Sequence, residues 1–552
     1  MSKAADEKQR HLEWLQQADL RELLTSSDIP SPWFPAYKHS DKEGQRTRFC
    51  SALVPVSLIP KLIKSDGWDI GPAEGVPSIW THYQNGDKSH HYCPFGNEDG
   101  IEPIVIYRSF HDLKPHFLEL SQEFRFYFNL YPDTAHHRYI QIDSNGDESV
   151  AVRYDNRSME IRTDLIRKFC AVKQMALAVY VESFRYSRAT LSDLGLTETR
   201  TEEIGEHYRI PLAIVPDDFA FEKKYETCSV VIGAKKYILP GPEPFDNEHD
   251  EENFQEFIIG ADSSGKPVRY TCNPDKLANY FGANPDAPNF LTPVFFRAEV
   301  LSKYYAEPAK YSVEDGYLRC GSLWGLRMDN DHADYVVVYL GDLGSLSEAE
   351  RHYWLSFNIA PDGRGISKTN FKRSFMAEPA EPERPDLVFK YAYTRFTSAF
   401  YKANGWEFFL PLHADDEHFF SGLRLLSKDN QAEFDLQLLA LTKVMVDSLN
   451  EKMIAKGLTT LVSDDKGITK LEKHFSENGL KDFESHIRFL RVLQDLRSKS
   501  AAHRKGSSYN KLINELQMPD DGQQAVFASL LISATKVLGY LHRNLIHTGQ
   551  PV

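Results

Sequence analysis

Hydrophobic and polar positions follow one pattern before about residue 430 and another after it. In the earlier part, short alternating or continuous apolar runs are bounded by turn residues, which predicts β-strands. The clearest predicted strands are 104–107, 139–142, 150–153 and 335–340. Helical spacing appears among them at 110–130 and 165–175, and the charged, leucine-containing segment 6–24 predicts an N-terminal helix. This part is therefore predicted to mix α and β structure.

After about residue 430, apolar residues recur at every third or fourth position, which is typical of amphipathic helices. Three long helices are predicted at 433–455, 482–499 and 523–545, with short ones at 467–475 and 509–516. Helices of these lengths, joined by short loops, would pack as a compact bundle of about 120 residues.

A chain of 552 residues is too long for one hydrophobic core. The predicted fold class is α+β multidomain, with mixed α/β N-terminal and central regions followed by an all-α C-terminal helical bundle. The predicted domains are an N-terminal helix at 1–29, a mixed α/β domain at 30–200, a β-rich aromatic domain at 201–429 and the bundle at 430–552.

Composition narrows the function classes. A hydrophobic content of 41% indicates a folded chain, and a net charge of −15 argues against a protein that coats DNA or an anionic membrane. No continuous apolar run approaches the length of a membrane span, and the charged N-terminus does not resemble a signal peptide, so a cytoplasmic protein is predicted. Six scattered cysteines without a C-x-x-C pair predict reduced thiols, and no metal site or cofactor is expected.

The strongest local signal is a basic island at 488–511, which holds seven Lys or Arg and one acid, Asp495. Within it, Arg497 and His503 are separated by five residues. An arginine holds phosphate oxygens with its planar fork, and a histidine moves protons near neutral pH. Together they provide groups that can cleave a phosphodiester without a metal.

Helical geometry places these two side chains on different faces. Arg497 lies within about 20° of Leu490 and so continues the apolar stripe of its helix, whereas His503 would lie about 120° away if the helix persisted. We therefore expect either that the helix loosens near 501–502 or that a second chain completes the site.

The Arg497-x5-His503 spacing on a late helix of a predicted bundle resembles the R-x4-6-H motif of the HEPN superfamily, small helical domains common in prokaryotic defence ribonucleases and toxin systems. The resemblance covers about 430–552, less than a quarter of the chain. It implies that two bundles pair with their motifs facing and that the composite cleft of the homodimer cuts RNA without a metal. The N-terminal regions would then sense an unknown trigger or regulate the nuclease.

The resemblance also implies roles for individual residues. Arg497 would hold the scissile phosphate and stabilise its extra negative charge, and His503 would carry the proton of the attacking or leaving oxygen. The residues implied to bind substrate are Ser498, Lys499, Arg504 and Lys505. Ser498 occupies a position that the family often fills with Asn, Asp or His, and a serine neither ionises usefully nor donates as an amide does.

A non-catalytic alternative fits the same residues. Arg497 would pair with an acid of the bundle, such as Asp435, Asp447 or Asp495, and His503 would cap a helix end. The protein would then be a dimerising scaffold with an inactive HEPN-like bundle, and the aromatic segment before residue 430 would either form core or line a groove for a ligand or partner.

Overall fold

A computed structural model describes residues 3–26, 29, 31–67, 75–217, 224–242, 253–427, 429–502 and 522–546, with backbone alone at 3–8 and 499–502. Helix and strand are both abundant, about 36% and 31% of the chain, and the C-terminal region is helical, so the mixed α and β class is confirmed. Contacts divide the chain into two compact units, Met1–Asp143 with Asp147–Glu251, and Ser144–Gly146 with Glu252–Val552.

The strands are β1 Trp33–Lys42, β2 Gln45–Pro55, β3 Ser78–Gln84, β4 Asp87–Cys93, β5 Glu102–Pro103, β6 Val105–Phe110, β7 Lys114–Leu120, β8 Tyr131–Asp133, β9 Arg138–Ile142, β10 Glu148–Tyr154, β11 Ser158–Arg162, β12 Met175–Ser187, β13 Thr199–Ile204, β14 Tyr208–Pro216, β15 Thr227–Ile238, β16 Glu256–Ala261, β17 Pro267–Thr271, β18 Pro293–Arg297, β19 Tyr311–Glu314, β20 Tyr317–Cys320, β21 Trp324–Arg327, β22 Tyr335–Tyr339 and β23 Asn358–Ile359.

The helices are α1 Lys3–Leu15, α2 Ala18–Thr25, α3 Ile59–Leu62, α4 Gln122–Tyr127, α5 Thr163–Lys173, α6 Leu191–Leu194, α7 Ser302–Ala306, α8 Leu340–Leu343, α9 Glu348–Leu355, α10 Lys368–Phe375, α11 Pro385–Asn404, α12 His418–Ser421, α13 Gln431–Thr442, α14 Glu451–Ile454, α15 Gly467–Glu477, α16 Glu484–Ala502 and α17 Gln523–Leu545. A π-helical turn, Lys443–Asp447, directly follows α13.

The first unit is organised around one large antiparallel sheet in the order β13-β14-β15-β12-β2-β1-β11-β10-β9-β8, with β5 paired to β2. Strand β12 lies near its centre, and its first half, Ala176–Val181, is buried throughout. In its second half only alternate residues are buried, among them Ser183 and Arg185. The burial pattern changes because Ser183 and Arg185 lie beneath α1 and α2. These two helices are joined at Gln17, whose backbone is in the left-handed region with φ 55°.

Buried basic side chains attach three helices of this unit to the sheet. Arg185 donates to Trp14 O near the end of α1 at 2.7 Å, Lys236 to Leu23 O in α2 at 3.0 Å, and Lys235 to Leu62 O at the end of α3 at 2.6 Å. The last carbonyls of a helix lack intrahelical partners and carry partial negative charge. Each cation therefore meets a helix end that needs donors.

The second unit begins with small sheets. Strands β22-β18-β23 and β19-β20-β21 form three-stranded sheets, and β16-β17 a hairpin. They share a core with α9, in which the Trp354 indole donates to the Tyr304 hydroxyl at 2.7 Å.

The C-terminal helical region has a second core, formed by apolar side chains of α11, α13, α15, α16 and α17. Helix α17 is central: Phe527, Leu531, Ala534, Leu538 and Leu541 are buried at helical spacing. The bounds of α17 match the predicted 523–545. The bounds of α5, Thr163–Lys173, nearly match the predicted 165–175.

Helix α17 also bears on the expectation that the chain does not span a membrane. It is the one helix of the described residues that is long and apolar enough to cross a membrane by length and composition. Half of its most apolar window is buried inside the structure, as in a core helix of a folded domain. The absence of a membrane span therefore stays a prediction.

Two local predictions differ from the structure. The predicted helix at 110–130 is largely wrong, because Lys114–Leu120 pairs with β6 as strand β7 and only Gln122–Tyr127 is helical. The predicted long helix 433–455 is interrupted by the π-helical turn and resumes only at α14.

The observed divisions of the chain also differ from the predicted domains. Strands on both sides of residue 200 belong to one sheet, so 201–238 lies with the first unit. Helix α11, predicted in the central domain, belongs to the C-terminal core because Phe389, Phe396 and Phe400 pack there. Both differences arise from pairings between segments far apart in sequence.

Candidate functional site

The predicted motif lies at the end of α16. Arg497 and Ser498 are described fully, and the backbone of Lys499 is helical. The side chain of Lys499 and the whole of His503, Arg504 and Lys505 lie outside the described residues. The helix continues to Ala502, so within the described range it does not loosen before 502.

Arg497 lies at the edge of the apolar stripe of α16. Leu490, Leu493 and Leu496 are buried in the helical core, whereas the Arg497 side chain is 33% exposed. Its Nη2 donates one hydrogen bond of 3.2 Å to Oδ2 of Asp447, which is 37% exposed. Among Asp435, Asp447 and Asp495, the acids considered from the sequence, Asp447 is thus the ion-pair partner of Arg497.

The π-helical turn accounts for the position of Asp447. Asp447 is its last residue, and Ser448 N donates to Lys443 O, the five-residue closure of a π-helix, at 3.0 Å. The extra residue of such a turn changes the direction of the side chains that follow, and π-turns inside helices are frequent at functional sites.

Ser498 makes a local contact. Its Oγ donates to Gln494 O, one turn earlier in α16, at 2.9 Å, and the residue is exposed. Such a back-bond is common for serine in helices. In this arrangement the Ser498 hydroxyl is used by its own helix, and Ser498 does not contact Arg497 or Asp447 through any hydrogen bond of the described residues.

Two other arginines of the basic island face solvent on α16. Arg491 pairs with Glu472 of α15, whereas Arg488 is exposed and forms no ion pair with any described residue. The basic island therefore contains both an ion-paired arginine and one without an ion pair to the described residues.

A polar cavity of about 430 Å³ in the second unit was missed by the sequence analysis. Arg373 forms a two-bond pair with Asp315 at 2.9 and 2.7 Å, and the Tyr339 hydroxyl donates to Asn370 Oδ1 at 2.6 Å. Burial raises the pKa of Asp342, and the charge of Arg327 lowers it only in part. A half-buried carboxyl with a raised pKa in a cavity is a common feature of functional sites.

The segment Asp329–Asp331 lines this cavity and connects it to neighbouring segments. Asp329 accepts from Ser367 N at 2.6 Å, Asn330 Oδ1 accepts from Gly316 N at 2.9 Å, and Asp331 Oδ1 accepts from Arg384 N at 2.7 Å. Side chains that bind backbone groups of three separate segments hold those segments in place. The side chains of Asp329, Asn330 and Asp331 are thereby engaged within the protein.

The aromatic segment before residue 430 both forms core and lines a groove, which are the two roles that the sequence left open. Phe396 and Phe400 are buried in the helical core, whereas Tyr393, Phe408 and Phe409 also line an open groove of about 560 Å³. Burial raises the pKa of Tyr393 to about 12. No group of three or more His, Cys, Asp or Glu side chains that could hold a metal occurs among the described residues.

The chain matches no protein-family model, no curated protein and no solved structure.

Proposed function

We propose that the C-terminal helical region is a HEPN-type, metal-independent endoribonuclease, that two copies form the active dimer, and that the protein acts as an effector in antiphage defence or a toxin-like system. The observation that carries the proposal is the state of Arg497. Its side chain is one-third exposed near the end of α16, and its guanidinium is held by a single 3.2 Å hydrogen bond.

An ion pair of this kind is easily exchanged. Exposed salt bridges contribute roughly 0–1 kcal/mol, because water solvates both partners and the side chains lose entropy on pairing. A phosphodiester offers a guanidinium two oxygens in a matching plane. RNA can therefore displace Asp447 from Arg497 at little cost in free energy.

The proposed chemistry divides between two residues. Arg497 binds the scissile phosphate and stabilises the charge that develops on it. His503, the first residue after the described part of α16, transfers the proton of the 2′-hydroxyl or of the leaving 5′-oxygen. The products carry 2′,3′-cyclic phosphate ends, and no cofactor is needed.

RNA cleavage by the purified full-length protein in EDTA tests this proposal. We expect Arg497→Ala and His503→Ala to lower the rate at least 100-fold, roughly the size of one general acid–base or electrostatic contribution. Arg488→Ala is the matched control, since it removes an exposed arginine from the same helix. Equal cleavage by wild type and His503→Ala, or product ends other than 2′,3′-cyclic phosphate, would contradict the mechanism.

A second candidate is a non-catalytic protein that dimerises through the helical region and binds a ligand or partner in the aromatic groove. The Arg497–Asp447 pair favours it, because a paired arginine has a structural role without any substrate. Asp447→Asn separates the two candidates. In a nuclease the neutral side chain releases Arg497 and lowers KM severalfold, whereas in a scaffold no RNA is cleaved by either form and only the dimer dissociation constant changes.

A further inference from the structure

A small cavity of about 240 Å³ lies in the first unit, between α2 and the strands β1, β2 and β12. The antiparallel register places Ser40 opposite Thr47, and Thr47 opposite Ser183. Residues directly opposite one another project from the same face of a sheet. Three hydroxyl groups therefore form a row across three neighbouring strands.

Basic side chains flank this hydroxyl row. Lys38 and Lys42 each lie two residues from Ser40 on β1, and Arg185 lies two residues from Ser183 on β12, so all three share the face of the row. Both lysines are exposed, and neither forms an ion pair with a residue that the structure describes. Among the lining residues these three cations face one carboxylate, that of Asp19, which already pairs with Arg185 at 2.8 Å.

Two buried polar atoms, in residues that line the cavity, have no hydrogen-bond partner among the described residues. Ser183 Oγ and Arg185 Nε are buried and unpartnered, in residues that are 0% and 3% exposed. Buried polar groups are nearly always satisfied in native proteins, so two such donors in residues that line one cavity require an explanation. Both can donate to an oxygen of a bound anion.

The rest of the cavity limits the size of that anion. Its volume is below the roughly 300–1,000 Å³ of typical ligand pockets, which restricts the occupant to a small molecule. Leu20 and Leu23 of α2 provide an apolar wall opposite the hydroxyl row. The occupant thus needs a compact, strongly charged group and a short organic part.

We infer that this cavity binds a small phosphomonoester, whose phosphate oxygens accept hydrogen bonds from Ser183 and Arg185 and pair with Lys38 and Lys42. A phosphate dianion can form ion pairs with lysine ammonium groups and accept hydrogen bonds from hydroxyl groups at the same time. The local positive charge is notable in a chain with a net charge of −15. This site is independent of the proposed nuclease, so each can fail without the other.

Isothermal titration calorimetry of the full chain at constant ionic strength tests the site, with glycerol 3-phosphate and inorganic phosphate as separate probes. We expect the Lys38→Met/Lys42→Met variant to bind glycerol 3-phosphate at least tenfold more weakly than wild type. Lys88→Met/Lys114→Met is the matched control, because it removes two exposed lysines of the same unit that lie outside the cavity, and its affinity should equal that of wild type.

Ser183→Ala adds a readout that a purely structural role would not produce. The hydroxyl has no partner in the free protein, so its removal should weaken glycerol 3-phosphate binding severalfold without lowering the Tm of the free protein. Three results would overturn the assignment: no binding of glycerol 3-phosphate by wild type, equal affinity of wild type and the Lys38/Lys42 variant, or binding of inorganic phosphate as tight as that of glycerol 3-phosphate.

Discussion

Two cationic side chains, Lys235 of the first unit and Arg497 of the C-terminal helical region, are used in opposite ways. In the first unit, Lys235 is fully buried and its Nζ donates to Leu62 O, Ser65 Oγ and Gly67 O at 2.6–3.1 Å. In the helical region, Arg497 is one-third exposed and donates once, to a carboxylate that is itself exposed. The first cation is part of the fold, whereas the second is available to a ligand.

The difference shows that a cation is structural when it is buried with its donors satisfied by protein, and is open to a ligand when its partner is exposed and exchangeable. The buried ammonium of Lys235 has lost its water, and because protein groups accept all three of its hydrogen bonds, no ligand can compete for it. An exposed guanidinium exchanges its carboxylate for water or phosphate with little change in free energy. The following predictions test this distinction.

The largest effect is expected at a buried pair in the same unit as Arg497. Arg384 and Asp386 join through two hydrogen bonds of 2.7 and 2.6 Å, and Asp386 is 1% exposed. Asp386→Ala leaves a buried guanidinium unpaired and should lower the free energy of unfolding by about 3–5 kcal/mol. Asp447→Ala, which breaks the exposed pair, should cost less than about 1 kcal/mol in the same urea titration. Similar losses in both variants would show that burial is not decisive.

A somewhat smaller loss is expected for Lys235→Met. The variant keeps most of the apolar stem but leaves Leu62 O and Gly67 O without their donor, which should lower the free energy of unfolding by about 2–3 kcal/mol. Lys38→Met is the control on the same sheet, because Lys38 is exposed, and its effect should stay within about 0.5 kcal/mol. A loss for Lys235→Met no larger than that of the control would contradict the structural role.

The smallest effect concerns Asp342, a half-buried carboxyl between these extremes. Because burial raises its pKa in the folded protein, the folded state binds this proton more tightly than the unfolded state. The ionised Asp342 carboxylate therefore destabilises the folded protein. This destabilisation is absent below the pKa of Asp342 in the unfolded state and develops as pH rises through its pKa in the folded state. Asp342→Asn should therefore stabilise the protein at neutral pH and not in acid, which thermal unfolding of both forms across this pH range would measure. A difference independent of pH would contradict the shift.

The sequence predicted elements well where one local period dominates. Helix α17 was predicted with its observed bounds because its apolar residues keep helical spacing over 23 residues. Strand β22 was predicted nearly as well from a continuous run of β-branched residues. The error at Lys114–Leu120 has the opposite cause: its pattern is ambiguous, and pairing with β6 decides that it is a strand.

In the candidate site, too, some features followed from the sequence and others required the tertiary structure. The basic island, the choice of Arg497 and the short list of acids that contained Asp447 all followed from residue types and spacing. The selection of Asp447 required the π-helical turn, which no spacing rule indicates. The unpartnered donors of Ser183 and Arg185 were likewise invisible, because Ser183 appears in the sequence as an ordinary strand residue.

By itself, the sequence determined the mixed class, the helical C-terminal region and the position of the basic island, because periodicity and charge are properties of neighbouring residues. Only the tertiary structure decided which strands share the large sheet, that α11 packs in the helical core, and which cations are buried. These features depend on contacts between residues far apart in the chain, and those contacts set whether the donors of a cation are satisfied by protein or remain free to bind a ligand.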